Sequence, residues 1–99
     1  MKVTIQSVNF NMDKSLKIFI EDKLEILDKF YDRIIGAEVF LKVQSTSDKN
    51  NKEIEIIVKV PGNDVVVAKK TKTFEDGVKQ SVEALKRSLK KIKEKQQKH

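Results

Sequence analysis

The stretch that most constrains the fold is residues 74–98, FEDGVKQSVEALKRSLKKIKEKQQK. Phe74, Val78, Val82, Leu85, Leu89 and Ile92 recur at spacings of 4, 4, 3, 4 and 3, the period of a helix that buries one stripe. Wound as a helix, all six fall within a narrow arc. Such a stripe must lie on an apolar surface supplied by the rest of the chain. Lys79, Lys86, Lys90 and Lys93 fall on a second stripe along one flank, while Arg87, Lys91 and Lys98 point away from the buried arc. One side of the helix is a core element and the remainder is a cationic surface.

The charge distribution sharpens this division. Residues 1–68 carry 10 Lys/Arg against 11 Asp/Glu, a sum of −1, and residues 69–99 carry 11 against 4, a sum of +7. All the excess positive charge sits at the end of the chain, a pattern that suits a polyanionic partner. A helix roughly 35 Å long also spans about ten phosphates of one nucleic-acid strand. The competing reading is a solvated lysine-rich helix that only aids solubility.

The rest of the 99-residue chain supplies the surface for the stripe. Its length predicts one domain. The charged fraction of 36% is high and the apolar fraction of 38% modest. The apolar residues are strongly periodic, which predicts a thin two-layer fold with a solvated exterior rather than disorder. Residues 2–8, KVTIQSV, alternate as a first strand, and Asp13 is placed to cap a helix over residues 14–31. In that helix Leu16, Ile20, Leu24, Leu27 and Tyr31 form the core stripe, widened by Phe19, Ile26 and Phe30. Glu21, Glu25, Asp28 and Asp32 lie on its outer face. Lys23 falls inside the apolar arc. Either its stem packs at the edge while the ammonium reaches water, or it places a cation in a groove beside the last helix.

Residues 37–45 and 53–60 read as second and third strands, the latter with Ile54, Ile56, Val58 and Val60 on one face. Pro61-Gly62-Asn63-Asp64 signals a hairpin turn, followed by a fourth strand at 65–72 that ends in lysines. Thr73 is placed to cap the last helix, with Asp76 three residues on. Gly77, one turn inside that helix, costs about 1 kcal/mol relative to alanine, and nothing in the sequence accounts for it. The apolar stripe ends at Ile92, so fraying of the basic tail at 94–99 is expected. The order is β-α-β-β-β-α, an α+β fold with a four-stranded sheet and two helices packed on one face. The first strand, helix and second strand make a crossover unit, so those two strands can run parallel and adjacent with a right-handed connection.

Several chemistries have no residues to carry them. The chain has no cysteine, which excludes disulfides and thiolate chemistry. Its only histidine is the terminal His99. There is no glycine-rich phosphate loop and no hydrolase or zincin motif, and no clustered metal ligands. The expectation is a protein that is not an enzyme and uses no cofactor, metal or small-molecule substrate. No run of about 18 apolar residues is present to span a membrane, and the opening MKVTIQSV lacks the apolar core of a signal peptide. Together these predict a soluble cytoplasmic protein.

Several stretches carry a resemblance. VTIQSVNFNMDKSL at the start is one. IEDKLEILDKFYDRI is another, a Lys-Leu pair followed by an aromatic cluster. So are AEVFLKV, IEIIVKVPGNDVVVAK and VEALKRSLKKIK. In combination they resemble the short ribosome hibernation-promoting factors, the protein Y-like group of the sigma-54 modulation protein family, over essentially the whole chain. The chain departs from the family pattern at Glu75-Asp76-Gly77-Val78-Lys79, where an aromatic-Ala-Ala-Ile-Asp type opening is usual. A second departure is Ala84, at a commonly basic position. Ending at His99, it looks like the short type without the additional dimerisation domain.

The resemblance implies a bacterial stress or stationary-phase protein. Such a protein binds the small ribosomal subunit between head and body, in the channel for messenger and transfer RNA, and meets ribosomal RNA through its basic helical face. Occupancy blocks translation and preserves idle ribosomes. Some short members work with a second hibernation factor to dimerise ribosomes. The residues expected to contact phosphate are Lys86, Arg87, Lys90, Lys91 and Lys93, with Lys79 and Lys23 in support. Lys69, Lys70 and Lys72 extend the patch if the end of the fourth strand lies beside the last helix. Lysine–phosphate contacts position without reading bases, which predicts recognition by shape and charge. Two alternatives remain on sequence grounds: a general double-stranded-RNA module, and a basic domain that docks on an acidic protein.

Overall fold

The computed structural model describes residues 1–97. The elements are β1 (Lys2–Val8), α1 (Lys14–Phe30), β2 (Gly36–Val43), β3 (Lys52–Val60), β4 (Asn63–Thr71) and α2 (Phe74–Gln97). The sheet order is β1-β2-β3-β4, with β1 parallel to β2 and the other neighbours antiparallel. This is the β-α-β-β-β-α architecture expected from the periodicities.

The local signals explain where each element begins. Asp13 caps α1, its Oδ1 accepting the Leu16 N–H at 2.8 Å. Thr73 caps α2, its Oγ1 accepting the Asp76 N–H at 3.1 Å. Each satisfies an amide that the first helical turn leaves without a partner. Just before Thr73, the Thr71 hydroxyl donates to the Thr73 carbonyl at 2.7 Å, which ties the end of β4 to the start of α2. The β3–β4 loop is Pro61-Gly62 alone, with Val60 paired to Asn63. Gly62 has φ +79, so the loop has the order of a type II turn, proline first and a left-handed glycine second. β1 ends at Asn9, whose φ of 70 is tolerated by asparagine better than by most residues. The reversal carries Phe10 onto Phe74, where the rings stack at 4.9 Å.

The core lies between the sheet and one helical layer. Val39 and Leu41 of β2, Ile54, Ile56 and Val58 of β3, Ile20, Leu24 and Leu27 of α1, and Val78, Leu85 and Leu89 of α2 are all buried. Both helical stripes expected from the sequence therefore close on one face of the sheet. The opposite face carries Phe40, Glu55, Glu53, Lys42 and Lys70, with the exposed Val66 toward the β4 edge. α2 stays helical to Gln97, past Ile92, the last residue of its stripe. The tail Lys93–Gln97 is built from strong helix formers. Lys98 and His99, the end of the tail expected to fray, lie outside the described residues.

Candidate nucleic-acid interface

The two helices lie side by side and run the same way. One end of the cleft between them is lined by Leu16 and Phe19 of α1 with Phe74 and Glu75 of α2. The other is lined by Lys29 and Phe30 with Lys90, Lys93 and Glu94. The flank of α2 that carries Lys79, Lys86, Lys90 and Lys93 is therefore the flank turned to α1. The sequence places these lysines on one stripe, and only the packing shows that the stripe borders a groove.

Lys23 lies on the opposite wall. It follows Phe19 by four residues and precedes Phe30 by seven, the spacing of one helical face. Its Nζ sits 5.6 Å from the centre of the Phe19 ring, within range of a cation–π attraction, and the residue is half-buried. Stem packing and a groove position, the two readings of Lys23, are compatible. The half-buried rings Phe19 and Phe30 form part of the apolar lining, whereas Tyr31 and Phe74 are buried in the core.

Acids flank this groove as well as bases: Glu94 lines its mouth and Glu75 its other end, and Asp22 follows Phe19 by three residues on that side of α1. Glu21, Glu25 and Asp28 occupy the flank of α1 away from Phe19 and Lys23, whereas Asp32, expected on the same face, lies in the turn beyond the end of the helix. Asp28 accepts the Met1 terminal ammonium at 2.9 Å. On α2, Lys86 is the one groove lysine with a described ion pair, to Glu83 at 3.1 Å. Glu83 is largely exposed, and a surface pair of this kind is worth well under about 1 kcal/mol. Lys86 can thus leave Glu83 for a stronger anion at small cost.

The remaining candidates are distributed less evenly. Arg87 and Lys91 are exposed on the outer ridge of α2, beside the groove rather than in it. Strand alternation separates Lys69 from Lys70. Lys69 pairs with the buried Ile54 and faces the helices, whereas Lys70 pairs with Glu53 on the opposite face of the sheet. Lys72 lies between β4 and α2, exposed. Lys72 precedes the start of α2, about 20 Å from Lys86 by helix rise, and Lys69 and Lys70 lie on β4, so none of the three continues the dense part of the stripe. Lys29, which was not singled out in the sequence, joins Lys90 and Lys93 at the groove mouth. Its only sequence signal was its place in the last turn of α1. Among the described residues no group of acidic or histidine side chains could hold a metal ion. No described helix is long and apolar enough to cross a membrane.

One helical layer on one face of a four-stranded sheet, with a cationic groove on its outer side, defines a small α+β domain with a basic helical face. The chain belongs to the sigma 54 modulation protein / S30EA ribosomal protein family, whose model matches residues 3–97. It is 28% identical over 97 residues to a ribosome hibernation promoting factor of Pseudomonas putida, covering 98% of this chain and 91% of that protein. Its fold matches the N-terminal domain of protein Y from Thermus thermophilus with a TM-score of 0.80 at 22% identity, covering 93% of this chain and 99% of the other. A ribosomal subunit interface protein from Coxiella burnetii matches with a TM-score of 0.82 at 19% identity, covering 94% and 98%.

Proposed function

We propose that this chain is a ribosome hibernation factor. It binds the small ribosomal subunit in the channel for messenger and transfer RNA, in the cytoplasm, and holds idle ribosomes out of translation. The observation that carries the reading is the groove between α1 and α2. Lys29, Lys90 and Lys93 line its mouth, Lys79 and Lys86 continue the same stripe of α2, and Lys23 lies over Phe19, which lines the other end. Family membership and the name of the curated relative support the same reading.

In this proposal the groove lysines contact ribosomal RNA phosphates. Arg87 and Lys91 on the ridge reach a neighbouring backbone, while Lys69 and Lys72 touch only what passes the start of α2. Lys70 makes no contact from this face. The lysines are fixed by a helix whose other side is locked into the core, so little ordering is needed on binding. Charge contacts along a rigid groove give affinity that depends on the path of the phosphates rather than on base identity.

The test is co-sedimentation of the purified protein with small ribosomal subunits at near-physiological salt, against excess duplex RNA, alongside a cell-free translation assay. Saturable one-to-one binding that survives the competitor and stops translation is expected. Binding that the duplex removes would reduce the protein to a general RNA binder.

A further inference from the structure

β4 forms one edge of the sheet. Among the described residues its only backbone–backbone hydrogen bonds are those of its ladder with β3. The strand is nine residues long, without proline, and its Val66 is 57% exposed. An open edge of this length is a template for another strand. The order of its residues shows which strand fits.

Asp64, Val66, Ala68 and Lys70 face away from the helices, and Val65, Val67, Lys69 and Thr71 face toward them. The strand thus carries an acid near its start and a base near its end, on the same face and equally far from Val67. A second β4 laid antiparallel, with Val67 opposite its own counterpart, brings Asp64 opposite Lys70 of the second copy and Val66 opposite Ala68. The two-fold axis repeats both pairings. On the helical side Asn63 meets Thr71 and Val65 meets Lys69.

Other registers fit worse. Pairing must shift in steps that keep each residue on its own face. Centring on Val66 places Asp64 against Ala68 and sends Lys70 past the strand to Gly62. Centring on Ala68 places Lys70 against Val66 and Asp64 against Lys72, beyond the end of β4. Lysines on an edge strand also serve to repel unwanted pairing. Within the chain Asp64 stands opposite Lys59 and Lys70 opposite Glu53, so the pairing centred on Val67 extends an alternating row of charge from Glu53 and Lys70 of one copy to Asp64 and Lys59 of the other.

We propose that β4 is a self-association edge, at which two copies of this chain pair antiparallel about Val67. The product is isologous, a continuous sheet of twice four strands with all the helices on one face. Both basic grooves therefore lie on the same side of the dimer. The proposal does not depend on the ribosomal reading, because Asp64 and Lys70 lie outside the groove.

Sedimentation velocity of the full chain, freed of nucleic acid by nuclease, tests this from micromolar to millimolar protein. A concentration-dependent dimer is expected. Asp64→Lys and Lys70→Asp should each weaken it about tenfold or more, because two opposite-charge pairs per dimer become like-charge pairs. The combined swap should restore wild-type association. Both side chains are exposed, and circular dichroism checks that each variant is folded. A chain that is monomeric at every concentration overturns the proposal. So does a dimer indifferent to the single changes, or a double swap that remains as weak as the singles.

Discussion

The two flanks of α2 obey different rules. One carries Gly77, Ser81, Ala84 and Ser88 at spacings of 4, 3 and 4 and lies toward β3 and β4. A Cβ on Gly77 would fall 1.9 Å from Ile54 Cδ1 and 2.8 Å from Thr71 Oγ1, so the helix backbone rests close on the sheet. The other flank carries Lys79, Lys86, Lys90 and Lys93 and borders the groove to α1. The first flank is governed by volume, because close-packed interiors have no slack. The second is governed by charge, because long exposed side chains tolerate change. Stability and binding should therefore separate cleanly along one helix.

The strongest way to break that comparison is Gly77→Val, which forces a branched side chain onto Ile54 and Thr71. A loss of about 3 kcal/mol is expected from overpacking, read from urea unfolding. Gly77→Ala tests the same point more finely. It gains about 1 kcal/mol of helix propensity, yet net destabilisation is expected because Ile54 is itself buried and cannot yield freely. A more stable alanine variant would show that the small flank is not tightly packed.

On the other flank, Lys86→Glu with Lys90→Glu should leave unfolding free energy within about 0.5 kcal/mol. Small-subunit affinity should fall by roughly 100-fold or more at physiological salt, since phosphate contacts dominate such affinities. Retained binding with native circular dichroism sinks the assignment of the groove.

Ser81 gives a smaller effect of opposite sign. Its Oγ is buried without a hydrogen-bond partner, so the hydroxyl is desolvated without return. Ser81→Ala keeps the flank small and should stabilise the protein by about 1 kcal/mol, seen as a higher unfolding midpoint with an unchanged denaturant slope. The smallest effect is expected on the ridge. Lys91→Ala should change stability by less than about 0.5 kcal/mol and weaken subunit binding by only a few-fold. A loss as large as that from the groove pair would move the contact surface outward from the groove.

Much of this architecture is legible in residue order. The caps Asp13 and Thr73, the turn at Pro61-Gly62 and the stripe from Phe74 to Ile92 are local signals, because capping, turn geometry and helical period involve neighbours only a few positions apart. The separation of Lys69 from Lys70 was also present in the two-residue strand period. Reading the lysines at the end of β4 as one basic cluster obscured it. The helical run from Lys93 to Gln97 was hidden for another reason: an absent apolar stripe says nothing against a helix whose residues favour it intrinsically.

The amino-acid order alone specified six elements, their sequence and the stripe that each helix and the third strand would bury, since these follow from periods of two and 3.6 residues. It could not specify why Gly77 is glycine, because the atoms that exclude a side chain there belong to Ile54 and Thr71 on other elements. Nor could it tell that Lys23 and the Lys79–Lys93 stripe look across the same cleft. That depends on which flank of each helix turns inward when two stripes share one sheet, and packing settles it through contacts far apart in the chain.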